Sequence, residues 1–242
     1  MDFSGQKAVV TGAGRGIGRG CAEALAAAGA HVIAIARSAT DLASLEAHDS
    51  GRIETWQADV TDESLYARIR QLSGLTLLVN NAGANRPQPF ESVDSESLDA
   101  VLALNVRAAF LVSQAAVRAM SDAGEGGSIV HMSSQMGHVG SPDRSVYCMT
   151  KHAIEGLTKA TAVELAPRGI RVNSVAPTFV ETPLTRPMLE KPEFREFVLG
   201  MIPGGKLATI DDVVNAVMYL LSPGAAMVTG HSLLVDGGWT AR

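Results

Sequence analysis

Two residues of the sequence, Tyr147 and Lys151, have the types and the spacing for acid–base chemistry. They stand four positions apart, so on a helix they lie on one face, one turn apart. A phenol normally titrates near pH ~10. An ammonium ~4 Å away, at an effective dielectric of ~20, favours the phenolate by roughly 4 kcal/mol and lowers the pKa of the phenol toward neutrality, where a general acid–base works best. An exposed helical pair has the same pattern, so the assignment depends on the rest of the chain.

The elements that must position this pair alternate between strands and helices. Apolar runs predict strands at 7–11, 31–36, 52–57, 76–79, 128–132, 171–175 and 231–235. Helical periodicity predicts helices at 17–28, 40–47 (capped by Thr40), 62–72, 95–120, 146–165 and 211–221. Such alternation implies a parallel sheet with helices on both faces. We predict the α/β class, with a single doubly wound Rossmann-type domain over 1–242 and a parallel sheet of about seven strands. The Pro-punctuated stretch at about 178–205 interrupts the alternation and is expected to be a substrate loop.

Composition narrows the compartment and the partners. A net charge of −5 with scattered Lys and Arg gives no basic footprint for nucleic acid. Only Cys21 and Cys148 are present, both in predicted helices, which favours a reducing, cytoplasmic location over a disulfide framework. The first residues contain no apolar signal core, and no stretch approaches the ~20 apolar residues of a membrane span. The six His lack metal-ligand spacing, so no metal site is predicted.

A glycine-rich segment lies between the first predicted strand and the first predicted helix. Glycines there permit a tight turn and close approach of the backbone to a pyrophosphate, with the helix N-terminus facing the phosphates. The usual G-x-G-x-x-G spacing fails in every register, and the pattern that fits is T-G-x-x-x-G-x-G through Gly12, Gly16 and Gly18. A glycine turn alone can be ordinary loop chemistry, but this position in the fold predicts a dinucleotide site.

Further motifs complete a pattern in chain order. They are Asn80-Asn81-Ala82-Gly83 after the fourth strand, Leu104-Asn105-Val106, Ser134 thirteen residues before Tyr147, and Pro177 with Val180-Glu181-Thr182. With these motifs the chain resembles the short-chain dehydrogenase/reductase family over essentially all of its 242 residues. Thr178 stands where the family commonly has Gly, a departure shared by a subset of the family.

The resemblance implies roles for the catalytic residues Asn105, Ser134, Tyr147 and Lys151. Hydride passes between nicotinamide and the substrate carbon, and Tyr147 exchanges the proton with the carbonyl or alcohol oxygen. Lys151 lowers the pKa of that tyrosine and binds the nicotinamide ribose. Ser134 donates to the reacting oxygen. Asn105 holds a water that relays protons from Lys151 to solvent.

The cofactor-binding residues follow from the glycine segment, the end of the second strand and the resemblance. They are Gly12, Arg15, Gly16, Ile17, Gly18, Arg37, Ser38, Asp59, Val60, Asn81, Ala82, Gly83, Tyr147, Lys151, Pro177, Val180 and Thr182.

The end of the second strand predicts the choice of cofactor. An NAD enzyme usually has an acid there, about 20 residues beyond the glycine segment. This chain has Arg37 and Ser38 instead, and its next acid, Asp41, is assigned to the first turn of the following helix. Arg37 can fork onto a 2′-phosphate, Ser38 can donate to it, and Arg15 approaches from the other side. We predict that NADP(H) is preferred, with NAD(H) as the alternative, because an Arg also stacks on adenine.

Within the family the chain is most similar to ketose and dicarbonyl reductases and to bacterial sugar or polyol dehydrogenases. Ser145-Val146-Tyr147-Cys148, Pro177-Thr178-Phe179-Val180 and Met227-Val228-Thr229-Gly230 carry this similarity. There the residue after the catalytic serine, Gln135 here, helps to hold the polyhydroxylated substrate, and a pocket histidine is replaced by Arg144. The predicted substrate contacts are Ser134, Gln135, Arg144 and Tyr147. Two added hydrogen-bonding groups suit a ketose, polyol or dicarbonyl compound.

The sequence leaves two other functions to be compared with this one. A 3-oxoacyl-carrier-protein reductase needs a basic docking patch, for which the sequence offers only Arg107, Arg144 and Arg186. A non-catalytic dinucleotide sensor has no need of the proton relay. By resemblance the protein is expected to be a homotetramer, with helices 95–120 and 146–165 pairing across subunits. Trp239 is expected to serve packing or a subunit interface rather than catalysis.

Overall fold

Seven strands form one parallel sheet in the computed structural model of the chain, which describes residues 1–47, 51–124, 126–183 and 185–241. The strands are β1 (Lys7–Thr11), β2 (His31–Ala36), β3 (Ile53–Gln57), β4 (Leu75–Asn80), β5 (Gly127–Met132), β6 (Ile170–Pro177) and β7 (Ser232–Val235). Their order in the sheet is β3-β2-β1-β4-β5-β6-β7, and every pairing is parallel. The chain reverses its direction of travel between β1 and β4, which opens a crevice at their carboxyl ends. The predicted fold class is confirmed.

The helices match the predicted alternation, with differences at their ends. They are α1 (Gly16–Ala27), α2 (Ala39–Glu46), α3 (Glu63–Arg70), α4 (Ser95–Leu102), α5 (Ala109–Ala123), α6 (Ser145–Leu165), α7 (Arg186–Leu189), α8 (Pro192–Met201) and α9 (Ile210–Leu221). Ser38, not Thr40, caps α2, because the Ser38 hydroxyl accepts from the backbone N–H of Asp41 at 3.1 Å. The predicted helix 95–120 is interrupted by a π-helical segment, Ala103–Ala108.

Hydrophobic clusters lie on both faces of the sheet. Successive strand residues point to opposite faces, so Val9 and Val10 of β1 belong to different clusters. Val10 packs with Val217 of α9, and Val9 packs with Val112 of α5. Burial on both faces explains the nearly continuous apolar strands of the sequence.

One helical stretch corrects the expectation about membrane spans. Ser95–Asp122 is long and apolar enough, by length and composition, to cross a membrane. However, α5 buries Val112, Ala116 and Met120 completely in the cluster beneath the sheet. This face of the stretch therefore belongs to the core, whereas 44% of its most apolar window is buried in all.

The predicted substrate loop contains two of the helices, α7 and α8. Leu189, Val198 and Ile202 pack with Trp239 in a small separate cluster. The ring centroids of Phe179 and Trp239 are 5.9 Å apart. Trp239 therefore serves packing, as predicted, and ties the C-terminal segment to this loop.

Candidate active site

A cleft of about 590 Å³ opens at the carboxyl ends of β1, β2, β4, β5 and β6. Most of the predicted cofactor and catalytic residues line it. They are Gly12, Arg15, Gly16, Ile17, Arg37, Ser38, Asp59, Val60, Asn81, Ala82, Gly83, Ser134, Tyr147, Lys151, Pro177, Val180 and Thr182. Gly18, Asn105, Gln135 and Arg144 lie behind or beside this wall.

The glycine segment forms a cradle that side chains would fill. Gly12 has a φ of +66°, which favours glycine. A Cβ on Gly18 would lie 2.3 Å from the carbonyl oxygen of Gly12, so Gly18 allows the loop to fold back onto α1. Arg15, the N-cap residue of α1, makes no side-chain capping bond within the described part of the chain. The first amides of α1 thus face the cleft beside the positive end of the helix dipole, an arrangement that fits a pyrophosphate.

Side chains at the end of β4 hold this cradle in place. The Asn81 amide nitrogen donates to the carbonyl oxygens of Thr11 and Gly12 at 3.0 and 3.3 Å. The Thr11 hydroxyl accepts from the backbone N–H groups of Asn81 and Ala82 at 3.0 and 3.1 Å. The Asn81-Ala82 motif is therefore explained first by structure, because it fixes the backbone that faces the phosphates.

The far end of the cleft carries the residues predicted to select the cofactor. Arg15 is exposed, and the Arg37 side chain is 75% exposed, with its Nη1 3.7 Å from Oδ2 of Asp59. Partial burial raises the pKa of Asp59, but hydrogen bonds from Thr61 and the charge of Arg37 outweigh this and hold the pKa below its usual range. Such an exposed ion pair is weak, so Arg37 is free to turn to a ligand.

Asp41 is a cleft residue that sequence reasoning assigned only to a helix. It does lie in the first turn of α2, as predicted. Its carboxylate also lies against the glycine segment, because a Cβ on Gly14 would be 3.3 Å from Oδ2 of Asp41. The signal was present in the sequence, since a first-turn residue after β2 lies beside the crevice.

Tyr147 and Lys151 lie on α6, as predicted, with the Lys151 Nζ 5.5 Å from the centroid of the Tyr147 ring. Lys151 also donates to the carbonyl oxygen of Met132 at 2.7 Å. Burial lowers the pKa of Lys151 to about 8, against the opposing charge of Glu155.

The expected lowering of the Tyr147 pKa by Lys151 is wrong. Burial raises the pKa of the phenol to about 12. The groups that oppose burial are the Ser134 hydroxyl and the charge of Arg144. A phenol with this pKa stays protonated at neutral pH, which suits a proton donor.

Ser134 is oriented by its own turn. It follows β5 and caps the short 3₁₀ turn Gln135–Gly137, accepting from the Met136 N–H at 3.2 Å. Its hydroxyl donates to Oε1 of Gln135 at 2.9 Å. Gln135 therefore fixes the direction of the serine hydroxyl beside Tyr147.

Asn105 lies on the π-helical segment and acts as a clamp. Its amide nitrogen donates to the carbonyl oxygen of Ala84 at 2.8 Å and to Oγ1 of Thr150 at 3.1 Å. Its oxygen accepts from the Ala84 N–H at 2.9 Å. Asn105 thus ties the segment after β4 to α6, and the water relay implied by the resemblance stays a prediction.

The structure changes the predicted set of substrate contacts. Gln135 and Arg144 are buried beside the cleft rather than in its wall. Two residues that the motifs did not assign to the substrate, Asn85 and Thr178, do line the wall. The Oδ1 of Asn85 and the Oγ1 of Thr178 are buried and have no hydrogen-bond partner among the described residues. Thr178 stands where the family commonly has Gly, which was the available signal.

Known proteins resemble this chain along its whole length. The family model described as Enoyl-(Acyl carrier protein) reductase matches residues 12–240. The D-erythrulose reductase of Gallus gallus is 44% identical over 240 residues, which cover 99% of this chain and 97% of the relative. The L-xylulose reductase of Mesocricetus auratus is 43% identical and covers 99% and 98%.

A solved structure adds a likeness in three dimensions. The crystal structure of a putative NAD(P) dependent gluconate 5-dehydrogenase from Beutenbergia cavernae, with bound NADP, has a TM-score of 0.94 at 36% identity and covers 100% of this chain and 99% of that chain. The chain belongs to the short-chain dehydrogenase/reductase family and is an oxidoreductase that uses a nicotinamide dinucleotide on carbonyl or alcohol groups.

Proposed function

We propose that the protein is an NADP(H)-preferring reductase of polyhydroxylated carbonyl compounds, namely ketoses, dicarbonyls and, in the reverse direction, polyols. The observation that carries this proposal is the meeting of Ser134, Tyr147 and Lys151 in one cleft with the unpartnered polar atoms of Asn85 and Thr178. A hydroxyl-rich substrate supplies the missing hydrogen bonds, whereas an apolar ketone leaves them unmade.

The chain's own residues provide the proton and the orientation. A bound nicotinamide dinucleotide supplies the hydride. The Tyr147 phenol, protonated at neutral pH, donates its proton to the carbonyl oxygen. The Ser134 hydroxyl donates to Oε1 of Gln135 in the free protein; when substrate binds, it turns this proton to the same carbonyl oxygen and stabilises the charge that develops there. Lys151, held by the Met132 carbonyl, keeps a positive charge beside the phenol.

Arg15 and Arg37 support the choice of NADP(H). Both are exposed at the end of the cleft where the adenosine ribose is expected. Bound NADP in the Beutenbergia cavernae structure supports the same choice. Two acids line the cleft at this end, Asp41 and Asp59. Asp59 lies 3.7 Å from Arg37, and Asp41 is turned toward Gly14 in the first turn of α2.

The carrier-protein alternative is not favoured. Arg107 is paired with Glu63 at 3.1 Å, and Arg186 lies 3.9 Å from Glu181. Arg144 is buried. The two exposed cations therefore each have an acid beside them, so they do not give the net basic patch that docking of an acidic carrier requires.

A substrate panel tests the proposal. NADPH absorbance is followed with ketoses, diketones, apolar cyclic ketones and acyl thioesters at equal concentration. We expect turnover of the first two groups and at least ~10-fold lower kcat/KM for the apolar ketones, since each unpaired buried polar group costs about 1–3 kcal/mol. Equal activity on apolar ketones, or a preference for acyl thioesters, would refute it.

We infer a cytoplasmic homotetramer, as the resemblance implied. Apolar side chains are exposed on the two helices expected to pair, namely Phe110 on α5 and Met149 and Val163 on α6. The edge strand β7 exposes Leu234, and unpaired edges usually find a partner or a cover. Light scattering after gel filtration tests this assembly, and a monomeric mass would contradict it. The free thiols of Cys21 and Cys148 support a reducing compartment.

A further inference from the structure

Arg144 is a buried cation without an ion-pair partner among the described residues, and the charge of the adjacent Asp143 acts on it only from beyond ion-pair distance. Only 8% of the surface of Arg144 is exposed to solvent. Nη1 donates to the Asp143 carbonyl oxygen at 3.3 Å, Nη2 contacts the Met188 sulfur at 3.8 Å, and Nε has no partner in the described ranges. No carboxylate of those ranges lies within ion-pair distance of it. A buried charge without a partner is strongly destabilising.

The position of Arg144 adds to the cost of leaving its charge unpaired. It directly precedes α6, a helix of 21 residues, whose N-terminus carries a partial positive charge. A cation there has the wrong sign for the helix dipole. Arg cannot relieve this by losing its proton at ordinary pH. An anion at this point would satisfy the guanidinium and the helix terminus together.

The surroundings of Arg144 connect it to the reacting groups. It lies three residues before Tyr147, and its charge lowers the pKa of that phenol. Gln135, next to the catalytic Ser134, has a second buried donor without a partner, its Nε2, within the part of the chain that the structure describes. Two unsatisfied donors therefore flank the Ser134–Tyr147 pair, outside the dinucleotide wall.

The substrate loop covers this point only weakly. Met188 of α7 is the residue in contact with Nη2, and a thioether sulfur is a poor acceptor. A carboxylate in its place would accept two charge-assisted hydrogen bonds from the planar guanidinium. Such a ligand would reach Arg144 by displacing Met188 of α7 from Nη2.

We propose that Arg144 binds a carboxylate of the substrate, so that the protein acts on keto acids of the sugar-acid type in preference to neutral ketoses. This inference rests on the proposed reductase function and narrows its substrate class. In the reaction the ketone carbon accepts the hydride and the ketone oxygen accepts the Tyr147 proton. The product is the hydroxy acid, and the carboxylate is unchanged.

A pair of substrates of equal carbon number tests the proposal. We would compare kcat/KM for 5-keto-D-gluconate and for D-fructose with NADPH. For the wild-type protein we expect at least ~100-fold preference for the acid, the scale of losing a partner of a buried charge pair. Arg144→Met is expected to lower this ratio by ~100-fold, mainly through KM, and Arg144→Lys to restore part of it. Arg186→Met changes an exposed cation on α7, the helix whose Met188 contacts Arg144, and should leave the ratio unchanged.

Two measurements distinguish recognition from a structural role. Gluconate has no ketone to reduce, so its binding to the NADPH-loaded protein can be titrated by fluorescence, and Arg144→Met should abolish it. The same substitution removes an unpaired buried charge, so its Tm should equal or exceed that of the wild type. A lower Tm together with an unchanged substrate ratio would show that Arg144 is structural and would overturn the proposal.

The two levels of function fail in different ways. Equal kcat/KM for the acid and the neutral ketose in the wild type would overturn the role of Arg144 and leave the sugar reductase standing. No turnover of either compound, with activity on acyl thioesters or apolar ketones instead, would refute the proposed function, and this inference with it.

Discussion

Backbone atoms form the phosphate end of the dinucleotide wall, whereas side chains form the substrate side of the cleft. In the first region, Thr11 and Asn81 hydrogen-bond the backbone that faces the phosphates. In the second region, buried polar atoms lack partners within the described residues. They are Asn85 Oδ1, Ser133 Oγ, Gln135 Nε2, Arg144 Nε and Thr178 Oγ1.

This difference follows from what each region binds. A dinucleotide presents the same phosphates to every member of the family, so backbone amides and glycines suffice. A substrate with hydroxyl or carboxyl groups needs side chains that stay unpaired until it arrives. Each such group lowers the stability of the free protein by about 1–3 kcal/mol. The substrate side is thus the less stable region, and ligand binding should stabilise it.

The largest expected effect lies at the junction of the two regions. Tyr147→Phe removes the proton donor but keeps the ring, so we expect kcat to fall at least ~100-fold while the affinity for NADPH is unchanged. Tyr219→Phe, on α9 and 39% exposed, is the control and should keep full activity. Stopped-flow reduction and a fluorescence titration of NADPH measure both quantities. Wild-type turnover in Tyr147→Phe would refute the mechanism in which Tyr147 donates the proton.

A glycine substitution tests the claim that the phosphate end of the dinucleotide wall is made of backbone. A Cβ on Gly18 would lie 2.3 Å from the Gly12 carbonyl, where neither atom is free to move far. We expect Gly18→Ala to cost about 3 kcal/mol, or roughly 6–12 °C in Tm, and to weaken NADPH binding. Gly200→Ala places its Cβ in open space on α8, so it should leave NADPH binding unchanged and keep or slightly raise the Tm. Unchanged affinity for NADPH in Gly18→Ala would contradict the assignment of the glycine segment as the cradle for the pyrophosphate.

A buried histidine on β5, the strand that leads to Ser134, should make the stability of the protein depend on pH. His131 on β5 is fully buried, both ring nitrogens lack partners among the residues described, and burial with the charge of Lys151 lowers its pKa to about 4. Between pH 6.5 and 4 the unfolded chain binds the proton and the folded protein does not, so stability falls as the pH falls. From pH 8 to 5 this amounts to about 2 kcal/mol.

His131→Leu should abolish that pH-dependent loss while leaving the free energy of unfolding at pH 8 unchanged or higher, because no hydrogen bond is removed. Urea unfolding at the two pH values gives the comparison. An equal acid loss in the variant and the wild type would show that His131 does not titrate in this way.

The smallest effect concerns the cofactor end of the dinucleotide wall. Ser38→Asp keeps the cap of α2, because Asp is as good an N-cap as Ser. The new carboxylate repels a 2′-phosphate and can accept a hydrogen bond from a ribose hydroxyl. The ratio of kcat/KM for NADPH to that for NADH should therefore fall about 10-fold. Ser38→Asn keeps the cap without the charge and should leave the ratio near that of the wild type. A wild-type preference for NADH would overturn the NADP(H) assignment.

The sequence predicted most of the fold because its signals are local. Apolar runs and helical periodicity gave every strand of the sheet and the main helices to within a few residues. The motif residues met in one cleft because the carboxyl ends of parallel strands share one edge of the sheet.

Features that depend on packing between distant segments were missed. The pKa of Tyr147 is set by burial, which spacing along α6 does not reveal. Asp41 reaches the glycine segment only because β1 and β2 are neighbours. The burial of Arg144 depends on α7, a helix that the Pro-rich sequence had hidden.

The π-helical segment at Ala103–Ala108 has a consequence for insertions and deletions. Each residue of an α-helix turns the chain by about 100°, and the wider turn keeps the rotational phase of α5 relative to α4. With this phase α4 buries Val101 while α5 buries Val112. A π turn holds one residue more than an α turn over nearly the same rotation, so loss of one residue between 103 and 108 would restore a regular helix and keep Val101 and Val112 buried. The same deletion would remove the wide turn that presents Asn105 to Ala84 and Thr150, so it should spare the core and loosen the clamp.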